Sequence, residues 1–194
     1  MRLRQIVAVV AVAAAPWWIS CTHGEKDVIS SADAADEQVA LAREFSERVD
    51  EIGRATGAAQ ISVDEVRARL ARGDQVVFLD VREAEEYAVS SCPGARHVPP
   101  DGVDGLDFPG NSAATVVAYC TVGYRSGLAA VKLQQRLGRP VFNLKGGIIA
   151  WFNHGGEVVD PSGRPVVTIH AYSPEWEKYV QVRAPATPKD SVKS

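Results

Sequence analysis

One short stretch, Cys120-Thr121-Val122-Gly123-Tyr124-Arg125-Ser126, brings together the residue types that nucleophilic sulfur chemistry needs. A cysteine stands directly after the apolar run Thr115 to Tyr119, an arginine follows with four residues between, and a helical pattern begins at Gly127. A loop folded between such a strand and helix turns several backbone N–H groups inward and makes an anion nest, with the helix dipole behind it. That cradle favours the thiolate, which is the nucleophilic form of a cysteine. Gly123 lets the backbone take a positive φ or approach a ligand closely. Arg125 offers a planar cation to an oxyanion substrate. A free cysteine is often just a small core residue. Here the glycine, the arginine and the helix start stand in register with it, which argues for catalysis by Cys120 with Thr121 to Ser126 as the binding loop.

The elements that must hold this loop alternate along the chain. Ile61 is a short extended segment, and Ser62 or Asp64 can cap a helix that runs to Arg72 and stops at Gly73. Val76 to Leu79 is a continuous apolar run, as in a strand covered on both faces. Glu83 to Tyr87 reads as a short helix ended before Pro93-Gly94, Ala95 to Val98 as a short strand, and Pro99 to Gly110 as a loop. The strand Thr115–Tyr119 is followed by a helix Gly127–Leu137, with Ala130, Leu133 and Leu137 on one stripe and Gly138 as its stop. Val141 to Leu144 is a strand and Ile148 to Phe152 a closing helix. Strands alternating with helices predict an α/β fold, a doubly wound parallel sheet with helices on both faces. Ligands in such sheets bind beyond the carboxyl ends of the strands, where Cys120 falls.

Four motifs in order give this region a family likeness. They are Leu79-Asp80-Val81-Arg82-Glu83 with Glu86-Tyr87; Pro93-Gly94-Ala95 before a strand; Tyr119 to Ser126; and Leu144-Lys145-Gly146-Gly147-Ile148 with Ala150-Trp151. Together they make Ile61 to Asp160, about half the chain, resemble the rhodanese (sulfurtransferase) domain. The resemblance implies that Cys120 takes up a sulfane sulfur as a persulfide held by loop amides. The donor would be thiosulfate or a persulfide, and the acceptor a thiol, cyanide or a protein. Related dual-specificity phosphatases carry one more residue between cysteine and arginine to hold a phosphate; the four residues here favour sulfur transfer.

The flanking candidates have supporting roles. Asp80 and Arg82 sit at a strand's carboxyl end, where Asp80 can accept from loop amides and Arg82 can pair with Glu86 four residues on. Cys92 stands where the family often has the isoleucine of Gly-His-Ile. The short helix before it should carry it toward the sheet edge opposite Cys120, so no disulfide joins the two. Asp101, Asp104 and Asp107 recur every third residue, unlike the every-second spacing of calcium loops, and His97, His154 and His170 lack ligand spacing. We therefore assign no metal site, and the chemistry calls for no organic cofactor.

Composition sets the boundaries. The chain has 194 residues, 46% hydrophobic and 23% charged, with a formal charge of −3. That supplies a core and excludes both a wholly disordered chain and a strongly basic nucleic-acid binder. Three cysteines are too few for a disulfide scaffold. Arg2 and Arg4 precede the apolar run Ile6 to Ala15, and the stretch closes at Ser20-Cys21, the pattern of a secretory signal too short to span a bilayer. Ser20-Cys21 is also similar to the end of a bacterial lipoprotein signal, with Trp18 where leucine is usual, so Cys21 is either a lipidation site or close to an ordinary cleavage point. The expected division is a signal at 1–21, a polar linker with an amphipathic helix (Leu41, Phe45, Val49, Ile52) at 22–57, the sulfurtransferase-like domain at 58–160 and an irregular, proline-containing extension at 161–194. The protein is expected to be exported, periplasmic or a membrane-anchored lipoprotein, touching the membrane only through its signal or a lipid. Two functions from different classes remain: an enzyme turning over thiosulfate, and a sulfur carrier or interaction module that hands persulfide to a protein partner.

Overall fold

The Thr115–Tyr119 segment enters the structure as the middle strand of a five-stranded, fully parallel sheet. This computed structural model describes residues 31–106 and 113–183; the expected signal, Cys21 and Asp107 lie outside the described residues. The elements are α1 (Ser31–Thr56), β1 (Gln60–Ile61), α2 (Val63–Ala71), β2 (Val76–Asp80), α3 (Ala84–Val89), β3 (Arg96–His97), β4 (Thr115–Tyr119), α4 (Tyr124–Leu137), β5 (Val141–Leu144), α5 (Gly147–Asn153), β6 (Val158–Val159), β7 (Pro165–Val166) and α6 (Pro174–Glu177). Strand order is β1-β5-β4-β2-β3.

Register explains where the reactive loop lies. Phe78 pairs with Val117 and Asp80 with Tyr119, so β2 and β4 end level and the chain leaves both at one edge. Side chains alternate across β4: Val117 and Tyr119 join one apolar cluster with Phe78, Leu144, Ile148 and Trp151, while Val116, Ala118 and Cys120 join another with Leu79, Ala130 and Leu133. Each parallel connection needs a crossover: α2 joins β1 to β2, α3 joins β2 to β3 and α4 joins β4 to β5, while α5 follows the last strand of the sheet. The Ser62 hydroxyl caps α2 by accepting from the Glu65 N–H at 3.2 Å.

One element differs from expectation, and another resolves an alternative. Helix α4 begins at Tyr124 rather than Gly127, because Gly123 turns the chain in the left-handed region (φ 107) and lets the helix start one turn sooner. Arg125 is thereby fixed in the first turn of a helix. The extension after Asp160 has little regular structure, as expected, and through Arg183 it is wrapped over the domain, one of the two arrangements the sequence left open. Strand β6 pairs antiparallel with β7, and the chain then wraps onto α1. The Arg48 guanidinium lies 4.3 Å from the Trp176 ring, and Phe45 and Tyr179 meet at 5.2 Å. Burying one such aromatic contributes about 2–3 kcal/mol, enough to hold a segment with little regular structure. Helix α1 carries Leu41, Phe45 and Ile52 against the first cluster and runs through Gly53 before stopping at Gly57.

Candidate active site

Cys120 follows β4 directly and is buried, 1% exposed. The Gly123 N–H donates to its Sγ at 3.2 Å. The Tyr124, Arg125 and Ser126 amides open α4 and have no acceptor within that helix. The far wall is backbone from α5: the Ile148 N–H donates to the Cys120 carbonyl at 2.9 Å and the Ile149 N–H to the Thr121 carbonyl at 3.3 Å. Gly147 makes that approach feasible, since a Cβ there would sit 2.3 Å from the Cys120 carbonyl oxygen.

Arg125 reaches back across the loop to a partner the sequence reading gave to another residue. Its Nη1 donates to Glu86 Oε2 at 2.6 Å and its Nη2 to Oε1 at 2.8 Å, a bidentate pair. Nη2 also donates to Thr121 Oγ1 at 3.0 Å, and that hydroxyl donates to Glu86 Oε1 at 2.7 Å. Burial presses the Glu86 carboxyl upward, but the hydrogen bonds from Arg125 and Thr121 outweigh it and hold the group below the usual glutamate range. Burial likewise weighs against the Arg125 charge, and Glu86 together with the facing Cys120 more than restores it. The Tyr172 ring, carried by the C-terminal extension, lies over the guanidinium at 4.8 Å.

The other expected site residues separate into distinct roles. Val122 is buried in the core, whereas Tyr124 is 50% exposed beside the loop. Ser126 faces inward: its Oγ donates to Asn143 Oδ1 at 2.7 Å, and Asn143 Nδ2 donates to the Gly123 carbonyl at 3.0 Å. Ser126 therefore braces the loop rather than facing a ligand. Asp80 accepts from the Tyr119 hydroxyl at 2.7 Å and from Arg82 Nε at 2.9 Å, not from the amides of the reactive loop. Arg82 is fully buried and pairs with Asp80 at 2.6 Å, leaving Glu86 to Arg125. The expected Arg82–Glu86 pair fails because Arg82 precedes α3, where the four-residue helical spacing does not yet apply.

Cys92 also departs from its expected place. Its N–H donates to the Tyr119 hydroxyl at 3.0 Å, which puts it near the same end of the sheet as Cys120. The two thiols are free and belong to apolar clusters on opposite faces of the sheet. Burial, then Asp80, pushes the Cys92 thiol far up, so it stays protonated. The sequence reading missed Asn143, although a polar residue inside the apolar run Val141-Phe142-Asn143-Leu144 was a usable signal.

Comparison with known proteins agrees with this arrangement. Residues 62–154 match the rhodanese-like domain family. A sulfurtransferase of Allochromatium vinosum is 37% identical over 105 residues, which cover 54% of this chain and 97% of that protein. A tRNA uridine(34) hydroxylase of Xanthomonas euvesicatoria is 38% identical over 95 residues, covering 44% of this chain but only 38% of its own length. Among solved structures, a thiosulfate sulfurtransferase from Pseudomonas aeruginosa superposes with a TM-score of 0.50 at 23% identity, covering 70% of this chain and 26% of that one; it speaks to the fold. With nearly the whole of one sulfurtransferase aligned on it and the motif loop built at the expected sheet edge, the chain belongs to the rhodanese-like family.

Proposed function

We propose that the protein transfers sulfane sulfur from thiosulfate or a persulfide donor to a thiol- or cyanide-type acceptor through a persulfide on Cys120. The observation that carries this reading is Cys120 Sγ lying under the Gly123 amide at the start of α4, with Arg125 alongside. Because only 1% of Cys120 is exposed, a substrate must present a single protruding atom, as a terminal sulfur does. The Cys120 thiolate attacks the outer sulfur, the donor's S–S bond breaks, and the electron pair leaves with sulfite or with an organic thiolate. The persulfide charge then rests on the loop amides until an acceptor takes the sulfur and Cys120 is restored. No step calls for a metal or organic cofactor.

The test is intact mass after incubation with thiosulfate and, separately, with an organic persulfide. Wild type should gain one sulfur, mapped to the Cys120 peptide, and Cys120→Ser should gain none there; an unmodified wild-type Cys120 with both donors overturns the reading. The closure of Arg125 on Glu86 favours a second reading, a sulfur carrier that hands persulfide to a protein partner and turns over little free thiosulfate. Sulfite release measured with and without cyanide separates the two. Our reading also takes the protein to be exported, since Arg2, Arg4 and the apolar run Ile6–Ala15 precede Cys21. Fractionation of wild type against Cys21→Ala tests it: loss of membrane-bound material in the variant marks Cys21 as the lipid anchor.

A further inference from the structure

We propose that Tyr172, brought to the active site by the C-terminal extension, selects an organic persulfide (R–S–SH) over thiosulfate as the sulfur donor to Cys120. The inference rests on the sulfur-transfer reading above and names its donor class. Three observations carry it. The first is the state of the cation. A guanidinium has five N–H donors, and in Arg125 three of them are engaged, two by Glu86 and one by Thr121. Its charge is matched by the Glu86 carboxylate, so a dianion such as thiosulfate would have to compete with a carboxylate already in bidentate register and would approach that carboxylate's own negative charge. A persulfide carries at most one charge on its sulfur and escapes most of this penalty.

The second is Tyr172 itself. Its ring lies over the Arg125 guanidinium at 4.8 Å, yet the residue is 59% exposed, so core packing does not hold it there. It is the one non-glycine among the described residues with positive φ (68°). The turn is built to keep it so: the Tyr172 N–H donates to His170 Nδ1 at 3.1 Å and the Ser173 N–H to the Ala171 carbonyl at 2.8 Å. An uncommon backbone conformation maintained at the lip of a reactive loop is where a functional constraint is expected. The third is room. Tyr172 also lines a groove of about 610 Å³ with Val167, Ile169, His170, Pro174 and Val180. The groove is walled by the extension and α5 and meets the active site only at Tyr172; its volume is in the size class of organic ligands. With Tyr124 half-exposed beside Arg125, the carbon part of a donor meets aromatic surface on its way to the sulfur.

The transfer is balanced without an added oxidant or reductant. The Cys120 thiolate bonds to the donor's outer sulfur, the donor S–S bond breaks, and its electron pair leaves on the R–S thiolate. The outer sulfur keeps its hydrogen as Cys120–S–SH.

The experiment compares wild type, Tyr172→Ala and Tyr172→Phe, timing sulfur gain on Cys120 by intact mass with two donors, sodium thiosulfate and the persulfide of N-acetylcysteine methyl ester. Each donor is varied to separate its apparent KM from the maximal loading rate. Wild type should load faster from the persulfide. Tyr172→Ala should lower the persulfide-to-thiosulfate ratio about two- to fivefold, chiefly through KM for the persulfide, and Tyr172→Phe should restore it, since the ring face and not the hydroxyl meets Arg125. An unchanged ratio in Tyr172→Ala, a Phe variant that behaves like Ala, or faster wild-type loading from thiosulfate overturns the inference while leaving sulfur transfer standing. Failure of both donors to load Cys120 overturns the sulfur-transfer reading itself.

Discussion

Replacing Glu86 with glutamine removes one charge from the floor of the active site while keeping the side chain's shape. Four donors converge on that carboxylate: Arg125 Nη1 at 2.6 Å, Arg125 Nη2 at 2.8 Å, Thr121 Oγ1 at 2.7 Å and the Glu83 N–H at 3.1 Å. A glutamine offers one acceptor oxygen and turns an NH₂ toward donors that cannot accept it. Removing one member of a buried ion pair typically costs about 3–5 kcal/mol. Arg125 keeps a quarter of its side chain exposed, so water recovers part of that, and about 2–3 kcal/mol remains. For a chain of this size the loss corresponds to a Tm lower by about 5–10 °C.

The pH dependence fixes the sign independently. Burial acts to raise the Glu86 pKa, but Arg125 and Thr121 bring it below its unfolded value. Through that window the unfolded state binds more protons, so the stabilisation is present above the unfolded glutamate pKa of about 4.3 and is lost as pH falls through the folded one. Thermal melts at pH 7 and pH 3.5 should show a large wild-type advantage over Glu86→Gln at the higher pH and a much smaller one at the lower. Glu47→Gln, which breaks the exposed Arg43–Glu47 pair, serves as the control and should shift neither melt measurably. A Glu86→Gln melt within about 1 °C of wild type at pH 7, or a gap that widens on acidification, would refute the placement of the Arg125 charge on Glu86.

Two more outcomes follow from the same geometry. Gly147→Ala would drive a Cβ to 2.3 Å from the Cys120 carbonyl oxygen and 2.6 Å from the Thr121 carbonyl, on a backbone at φ +57. It should destabilise by about 1–3 kcal/mol and slow sulfur loading at least about tenfold, read by melting and by intact mass; wild-type loading in a folded variant argues against α5 as the loop's back wall. Cys92, fully buried with its thiol pushed up by burial and by Asp80, should resist iodoacetamide at pH 8.5 in the native protein and react once denatured. Native labelling of Cys92 would contradict its placement.

What the chain revealed in advance depended on how local each feature is. The strand Thr115–Tyr119, the loop from Cys120 to Arg125 and the parallel sheet were readable because an apolar run, a glycine and a helical stripe are contiguous signals. The partners of the charges were not. Glu83, Glu85 and Glu86 offer three carboxylates within one turn, and which of them meets Arg125 is decided by how β2 and β4 end level, a long-range consequence of register. Arg82 could be assigned to Glu86 only by treating it as helical; in the folded chain it lies before α3 and turns back onto Asp80. The extension is irregular, as its prolines indicated, but that it wraps the domain was not legible: Trp176 and Tyr179, three residues apart, dock on one surface, and that surface is α1.

On the function proposed above, the two ion pairs at this sheet edge also determine what would hold a sulfur carried on Cys120. Asp80 cancels Arg82 and Glu86 cancels Arg125, so the side chains around Cys120 supply position more than net positive charge. A negative sulfur on Cys120 must then be held largely by dipoles, the Gly123 N–H already bonded to Sγ and the free amides that open α4. Dipoles fixed in a backbone cost no reorganisation when the charge arrives, and they hold an anion without the full attraction an unpaired arginine would exert. That balance suits a site whose intermediate must be stable enough to form and loose enough to give its sulfur away.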